Sequence, residues 1–189
     1  MGKLIMWNLQ TLDGRFEGRT PWDLAFHSSV WGPELEQLSL EQLATADALV
    51  FGRATYQGMA SYWTTSEPGA VADLMNRVPK LVFSRTLKEV AWNNSRLVTG
   101  DAAAEIPRLK RESEKNLFIF GSANLSATLM AAGLIDEYRV CIAPVVLGCG
   151  EPLFKPADTP LALRLSDARP LQSGGVILRY APASPAAAG

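Results

Sequence analysis

The sequence predicts a single α/β domain of three layers, in which a mixed, mostly parallel sheet carries helices on both faces and ends in a C-terminal antiparallel hairpin. Short apolar runs alternate with segments of helical periodicity through most of the chain, which is typical of parallel strands covered on both faces. The last two apolar runs instead meet across a glycine turn. The length of 189 residues suits one domain. We assign residues 1–182 to this domain and residues 183–189 to a flexible tail.

The predicted strands are short apolar runs that end at glycine, proline or polar residues. In chain order they are KLIMWNL from Lys3, DALVFG from Asp47, LVF from Leu81, SRLV from Ser95, NLFIF from Asn116, the long run LIDEYRVCIAPVVLG from Leu134, and the two halves of LALRLSDARPLQSGGVILRYAP. Pro144 indicates that the long run is an edge strand, contains a bulge or ends there. In the final pair, Ser173-Gly174-Gly175 supplies the turn.

The predicted helices are the segments in which apolar residues recur three or four positions apart. They are Pro33 to Ala46, RATYQGMASYW from Arg53, Ala102 to Glu112 and Ala123 to Ala132. Gly133 follows the last of these at the position where a helix commonly ends in a left-handed residue.

Composition excludes several classes of function. The formal net charge is −1 and no run of lysine or arginine occurs, so we expect neither nucleic acid nor a membrane surface as a partner. Two cysteines, not spaced as a CxxC pair, and a single histidine do not predict a metal site. No segment has the roughly 20 apolar residues of a membrane helix, and the first residues do not resemble a signal peptide. We therefore expect a cytoplasmic protein.

Three predicted strands are followed by small or polar residues and then by a helix. These junctions are Gly52-Arg53-Ala54-Thr55, Ser84-Arg85-Thr86 and Gly121-Ser122-Ala123-Asn124. Ligands of open α/β sheets gather at the carboxyl ends of the strands, where helix N-termini favour phosphate. Arginine adds a planar donor for phosphate oxygens. The alternative is that the glycines serve only tight turns and the arginines are solvated surface charges.

Taken in order, several segments resemble the dihydrofolate reductase-like superfamily, and in particular the reductase domain of the bifunctional riboflavin-biosynthesis deaminase–reductase. The segments are NLQTLDGRFEG, ADALVFGRATYQGM, KLVFSRTL, NLFIFGSANLSATLMAAGLIDEYRVCIAPVVLGCGEPLF and the terminal hairpin. The resemblance covers nearly the whole chain. It implies a stand-alone reductase domain that uses NADPH.

The same resemblance implies roles for the three junctions. Gly52, Arg53 and Thr55 would hold the phosphate region of NADPH, and Ser84 with Arg85 would bind the adenosine 2′-phosphate. The pyrophosphate would lie at the helix that begins after the last junction, on Gly121, Ser122, Ala123, Asn124 and Leu125.

Candidate residues for the substrate side are aromatic or acidic. Trp7, Trp31, Tyr56 or Trp63 could contact a planar ring, or could simply be packed in the core. Asp13 matches the aspartate of the family's S-L-D-G loop, which borders the substrate; it could also be an ordinary turn residue. Dihydrofolate reductases carry a proton-donating carboxylate on the helix before the GR strand, a place that Glu34 or Glu36 could fill. His27 is a further possible proton donor.

One interval departs from the riboflavin-pathway enzymes. RTPWDLAFHSSVWGPELEQLSLEQL matches neither their ribose-phosphate loop nor their His-x-x-Arg helix. The sequence thus predicts an NADPH-dependent reductase of a small pterin- or pyrimidine-like substrate, with 5-amino-6-(5-phosphoribosylamino)uracil as one possibility. The alternative is an NADPH- or nucleotide-binding protein with little or no turnover. We also expect a homodimer, because a terminal hairpin leaves a sheet edge to be covered.

Overall fold

The strands build two sheets. Within residues 1–183, the part of the chain that the computed structural model describes, there are ten strands: β1 (Leu4–Thr11), β2 (Arg15–Glu17), β3 (Ala46–Gly52), β4 (Lys80–Phe83), β5 (Ser95–Val98), β6 (Asn116–Phe120), β7 (Glu137–Ala143), β8 (Glu151–Pro152), β9 (Leu163–Pro170) and β10 (Val176–Pro182). Eight of them form one sheet in the order β5-β4-β3-β6-β1-β7-β10-β9, and β2 pairs with β8 in a small second sheet.

Helices cover both faces of the large sheet. They are α1 (Pro33–Ala44), α2 (Arg53–Trp63), α3 (Ala70–Arg77), α4 (Ala102–Glu112) and α5 (Ala123–Ala131), with a 3₁₀ helix at Ala25–Ser29. One apolar cluster joins the sheet to the 3₁₀ helix and to α1, α2 and α3. A second cluster joins the opposite face to α4 and α5. None of the helices in the described residues is long and apolar enough to span a membrane.

The strand directions confirm the predicted fold class. The pairs from β5 through β7 are all parallel, whereas β10 lies antiparallel to both β7 and β9. The result is the predicted three-layer α/β domain with an antiparallel C-terminal pair. Pro144 marks the end of the long strand, since β7 stops at Ala143.

The sheet opens at one place along its carboxyl edge. β1 pairs with β6 only as far as Trp7 and Phe120, but it continues beside β7 as far as Thr11 and Ala143. On the other side of β6, the pairing of β3 with β6 ends at Val50 and Ile119, while β3 runs on to Gly52. The chain of β6 therefore turns away between two longer neighbours and leaves a gap in the sheet.

Two helix ends follow from local chemistry. The prediction that the first helix continues to Ala46 is wrong, because the backbone N–H and the hydroxyl of Thr45 both donate to the carbonyl of Gln42 and end the helix there. After α5, Gly133 takes a positive φ of 65°. Its N–H donates to Met130 and that of Leu134 to Leu129, which is the Schellman arrangement predicted for this glycine.

Several short elements were not predicted from the sequence. They are β2, β8, α3 and the 3₁₀ helix at Ala25–Ser29. At the C-terminus, the N–H of Ala183 still donates to the carbonyl of Ala162. The rest of the predicted tail, residues 184–189, lies outside the described residues.

A lysine is buried in β4. The Lys80 side chain is 0% exposed and its ammonium donates to the carbonyls of Asn76, at 2.7 Å, and Asn93, at 3.0 Å. The same ammonium lies 4.3 Å from the centre of the Trp92 ring, where the π face attracts a cation. Burial nevertheless lowers the pKa of Lys80 to about 8.

We predict that Lys80 makes the stability of the protein depend on pH between about 8 and 10.5. In that interval the unfolded lysine binds a proton that the folded one has lost, so the free energy of unfolding should rise with pH, by up to about 3 kcal/mol. Burial raises the pKa values of Tyr138 and Cys141 to about 12, so these two groups lower the free energy of unfolding as the pH rises through their ordinary pKa values. The measurement is therefore the difference between wild type and Lys80→Met in urea unfolding at each pH.

The matched control is Lys88→Met, which removes an exposed lysine. Its difference from wild type should stay constant across the same interval. A constant difference for Lys80→Met as well would contradict the lowered pKa.

Candidate functional site

A cleft of about 610 Å³ lies at the gap in the carboxyl edge of the sheet. The end of β1 and the junctions that follow β3 and β6 line it on the sheet side. The 3₁₀ helix, α1, α2 and α3 contribute one wall, and the small β2–β8 sheet contributes another. Clefts of this size at such a gap are the usual binding sites of α/β proteins.

Hydrogen bonds join the two strand–helix junctions at the cleft. The N–H of Gly52, at the end of β3, donates to Ser122 Oγ at 3.0 Å. In return, the N–H of Ser122, after β6, donates to Thr55 Oγ1 in the first turn of α2 at 2.9 Å. The hydroxyl of Ser122 donates onward to the carbonyl of Phe120 at 3.3 Å. These bonds hold the beginnings of α2 and α5 next to each other.

The beginnings of these helices are suited to an anion. No side chain caps the N-terminus of α2 or of α5, so their first N–H groups are left for a ligand or water. Both helices also direct the positive end of their dipoles toward the cleft. Arg53 lines the same region, is exposed, and has no ion-pair partner among residues 1–183. The first turns of the two helices, with Arg53 beside them, therefore suit an anion such as phosphate or carboxylate.

Gly121 is required by the backbone itself. It has a φ of +60°, and a Cβ there would lie 2.7 Å from Thr55 Cγ2. Gly52 differs, because its φ is −81° and a Cβ would approach no atom closer than 3.7 Å. The lack of a side chain at Gly121 thus allows the two junctions to pack together, whereas at Gly52 a Cβ would have free space around it.

Most of the residues predicted to bind the cofactor lie in this cleft. Its lining includes Gly52, Arg53, Thr55, Gly121, Ser122, Ala123, Asn124 and Leu125. Ser84 and Arg85 do not line it; they follow β4, whose Phe83 pairs with Gly52. The helix predicted after this junction is wrong: Ser84 Oγ accepts the N–H groups of Thr86 and Leu87, and the chain continues without a helix to β5. Arg85 is exposed. The binding roles of all these residues stay predictions.

The predicted substrate-binding aromatic residues divide into two groups. Trp7 and Trp31 line the cleft, the first 7% exposed and the second 50% exposed. Tyr56 is buried, and its hydroxyl accepts the backbone N–H of Trp92 at 2.9 Å. Tyr56 is thus packed in the core next to Trp92, and the structure does not bring it to the cleft wall.

Asp13 closes a turn and lies outside the cleft lining. Its carboxylate accepts the hydroxyl of Thr11 at 2.6 Å and the N–H groups of Leu147 and Gly148. The hydroxyl of Thr11 contributes most to lowering the pKa of Asp13 to about 2. The carboxyl group is therefore ionised at neutral pH and holds two loops together.

Glu34 and Glu36 begin α1, and neither lines the cleft. Glu34 accepts the backbone N–H of Gln172 at 2.7 Å and so connects α1 to the loop between β9 and β10. Glu36 is exposed. The structure therefore brings neither of the predicted proton donors to the site.

His27 is a titratable group on the helical wall of the cleft, where Arg53 begins α2. Its Nε2 is buried and has no hydrogen-bond partner in the structure, and its ring packs edge-on against Phe26. Burial lowers the pKa of His27 to about 4. The imidazole is consequently neutral at pH 7, and this wall carries no charge from it.

Three charged residues on the β2–β8 wall were not predicted from the sequence. Glu17 in β2, Glu151 in β8 and Lys155 line the cleft, and Lys155 is paired with Glu151 at 2.7 Å. That bond is the main cause of the lowered pKa of Glu151. Glu151 falls in the GEPLF segment, which carried the family resemblance but gave no signal for this side chain, and Lys155 follows that segment directly.

Trp22 and Asn8 were also missed. The Trp22 ring lies against the backbone of α2, since a Cβ at Gly58 would be 1.7 Å from it. A lone glycine inside a helical pattern often marks such close packing, and Gly58 was the available signal. Asn8 on β1 is 3% exposed, lines the cleft, and its Nδ2 has no partner within the described residues.

Comparison with known sequences gives a family. The model of the RibD C-terminal domain matches residues 2–177. The uncharacterized protein YyaP of Bacillus subtilis (strain 168) is 30% identical over 177 residues, which cover 90% of this chain and 89% of YyaP.

Solved structures agree on the fold. A protein from Shewanella sp. PV-4 that is named for riboflavin biosynthesis has a TM-score of 0.79 at 23% identity, with coverage of 96% of this chain and 99% of that one. The diaminohydroxyphosphoribosylaminopyrimidine deaminase/5-amino-6-(5-phosphoribosylamino)uracil reductase of Thermotoga maritima has 0.67 at 11% identity, covering 96% and 57%. Dihydrofolate reductase from Enterococcus faecalis, complexed with NADP(H), has 0.64 at 16% identity, covering 97% and 98%.

We predict that replacing Gly121 and Gly52 by alanine has different effects on the stability of the protein. Gly121→Ala should lower the free energy of unfolding by about 1–3 kcal/mol, because alanine resists the left-handed conformation and its methyl group meets Thr55. Gly52→Ala should change it by less than about 0.5 kcal/mol, since ordinary backbone angles and free space are available. Urea unfolding measures both, and equal losses would contradict the assignment.

Proposed function

This chain belongs to the RibD C-terminal domain family, and we propose that it is an NADPH-dependent reductase that transfers a hydride to a small pterin- or pyrimidine-like heterocycle. The family and its riboflavin-biosynthesis neighbours support a reductase-type activity. The choice of NADPH and of the substrate class is our own inference.

The observation that carries the proposal is the pair of joined helix N-termini. α2 and α5 begin side by side without side-chain caps, and Arg53 stands beside them. A pyrophosphate has two adjacent anionic groups, which match two adjacent helix dipoles better than a single phosphate would. The crossed bonds between Gly52, Ser122 and Thr55 fix this geometry before any ligand arrives.

The order of strands supports a path for the rest of the cofactor. β4 lies next to β3, and Ser84 follows the residue that pairs with Gly52. A dinucleotide seated at β6 and β3 would extend its adenosine along the carboxyl edge toward Ser84 and Arg85. We propose that Arg85 binds the 2′-phosphate, which distinguishes NADPH from NADH.

The reactive end would lie at the gap beyond Trp7 and Phe120. When bound, reduced nicotinamide supplies a hydride. The residues of the chain orient and enclose the reacting rings: Trp7 and Trp31 offer faces for a planar group, and the buried amide of Asn8 offers a donor to a carbonyl or ring heteroatom.

One observation favours a second candidate, a nucleotide-binding protein with little turnover. Asp13, Glu34 and Glu36, the candidate carboxylates of the site, all lie outside the cleft lining. The two candidates separate in one assay. A reductase oxidises NADPH with at least one member of a panel of dihydrofolate, dihydropterin and the riboflavin-pathway pyrimidine; a binding protein binds NADPH tightly and oxidises it with none.

We also propose that the protein is a homodimer. β9 is one of the two edge strands of the large sheet, and seven of its eight residues are exposed. Leu165, in this strand, is 50% exposed, and Leu161 just before it is 45% exposed. A long outer strand with exposed leucines is usually covered in solution, and a second copy of the chain would cover it.

We predict that Arg85→Ala weakens NADPH binding by about 10-fold or more and NADH binding by less than about 2-fold. The lost interaction is a charge-assisted hydrogen bond to a phosphate that only NADPH carries. Calorimetry with both coenzymes measures this. Arg111→Ala, which removes an exposed arginine from α4, is the control and should alter neither. Equal losses of both coenzymes would remove the role assigned to Arg85.

We predict that Leu165→Glu produces a monomer in light scattering, because charge on the outer strand opposes pairing of two copies. Val146→Glu, at a loop position that is 67% exposed, should leave the dimer intact. A monomeric wild-type protein would overturn the dimer proposal.

A further inference from the structure

We propose that the substrate half of the cleft accepts an uncharged planar ring and rejects a substrate that carries a phosphate or carboxylate there. This inference rests on the proposed reductase function and narrows its substrate class. It concerns the side of the cleft formed by Trp7, Leu43, Met59, Trp63, Val71 and Met75, which we call the apolar wall.

The apolar wall is continuous with the core of the domain. Trp7, Leu43, Val71 and Met75 are buried members of the cluster beneath α1, α2 and α3, and Met59 and Trp63 pack against it. The indole N–H of Trp63 points to Met59 Sδ at 3.3 Å, so this polar group is already occupied. Indole rings and thioethers favour flat, polarisable partners.

The polar groups beside this wall carry no charge that could bind an anion. The Ser39 hydroxyl donates to the carbonyl of Leu35 at 2.8 Å, within α1. His27 has its pKa lowered to about 4 by burial and is a neutral imidazole at pH 7. Its unpartnered Nε2 can exchange one hydrogen bond with a neutral ring.

The charged side chains of the cleft lie elsewhere. Glu17, Glu151 and Lys155 belong to the wall built by β2 and β8 and the residues just after them, and Lys155 is paired with Glu151. Arg53 stands at the start of α2, where the proposed cofactor places its phosphates. An anionic group on the apolar wall would therefore lose its water without gaining a counter-ion.

A ring of 5-amino-6-(5-phosphoribosylamino)uracil on the apolar wall would have to direct its phosphate away from that wall, because the six residues of the wall include no lysine or arginine. A heterocycle without a phosphate meets no such requirement, in agreement with the missing ribose-phosphate segments of the sequence.

The test uses two probes that differ by one charge, quinoxaline and quinoxaline-2-carboxylate, added to protein saturated with NADP⁺ at pH 7. Quenching of tryptophan fluorescence and calorimetry report their binding. We expect quinoxaline to bind about 10-fold more tightly or better, because only the carboxylate must be desolvated without a partner. Equal or tighter binding of the carboxylate would overturn the inference, and so would failure of both probes to bind the NADP⁺-loaded protein.

A second experiment places a positive charge on α1 beside the apolar wall. Ser39→Lys should reduce the preference for quinoxaline by about 10-fold or reverse it, whereas Gln37→Lys, exposed on the same helix and outside the cleft, should leave it unchanged. Circular dichroism and NADP⁺ binding check that both variants fold. An unchanged preference in folded Ser39→Lys contradicts the inference. If NADP⁺ fails to bind the wild type, the proposed function is wrong. The ratio of the two probes' dissociation constants, measured without NADP⁺, still tests the apolar wall.

Discussion

The constraint on which the site depends is the side-by-side ending of β3 and β6. Each strand is buried in the parallel part of the sheet, and each is followed by a helix that begins at the same edge. The Gly52–Ser122 and Ser122–Thr55 hydrogen bonds satisfy the backbone at this edge and set the two helices together. Between them the chain turns at Gly121, which has a φ of +60° and leaves no room for a Cβ beside the Thr55 side chain. The gap, the cleft and the paired dipoles all follow from this junction.

Much of the fold could be predicted because its signals are local. Buried parallel strands give apolar runs, and α1, α2, α4 and α5 each show a helical repeat or a clear end, as at Gly133. The elements that were missed, α3, the 3₁₀ helix and the β2–β8 pair, are two to eight residues long and depend on distant contacts.

The environment of Lys80 could not be predicted from local sequence signals. In the sequence Lys80 is a polar residue at the start of a strand, and only the tertiary fold brings the carbonyls of Asn76 and Asn93 to its ammonium.

The candidate site, like the fold, contains residues that local sequence signals could place and residues that they could not. Residues that follow strands could be placed together, since parallel strands share one carboxyl edge; Gly52, Arg53 and the segment from Gly121 do line one cleft. Residues contributed by loops and by the second sheet could not, because their positions depend on pairings such as Arg15 with Pro152, far apart in sequence. The carboxylates Glu34 and Glu36 failed to reach the cleft for a related reason. Helical spacing predicts a face of α1, but the β9–β10 loop, which receives Glu34, is remote in the chain.

In the proposed reaction, the proton that must accompany the hydride is not supplied by His27 or Glu151. His27 is neutral at pH 7, and Glu151 is held as an anion by Lys155. Neither group therefore offers an imidazolium or a carboxylic acid beside the gap. Water at the open side of the cleft would then supply the proton. A conjugated carbonyl or imine within a heterocycle suits this situation, because hydride addition puts the negative charge on an electronegative ring or carbonyl atom that water can protonate. The uncharged apolar wall and the neutral His27 thus favour the same kind of acceptor.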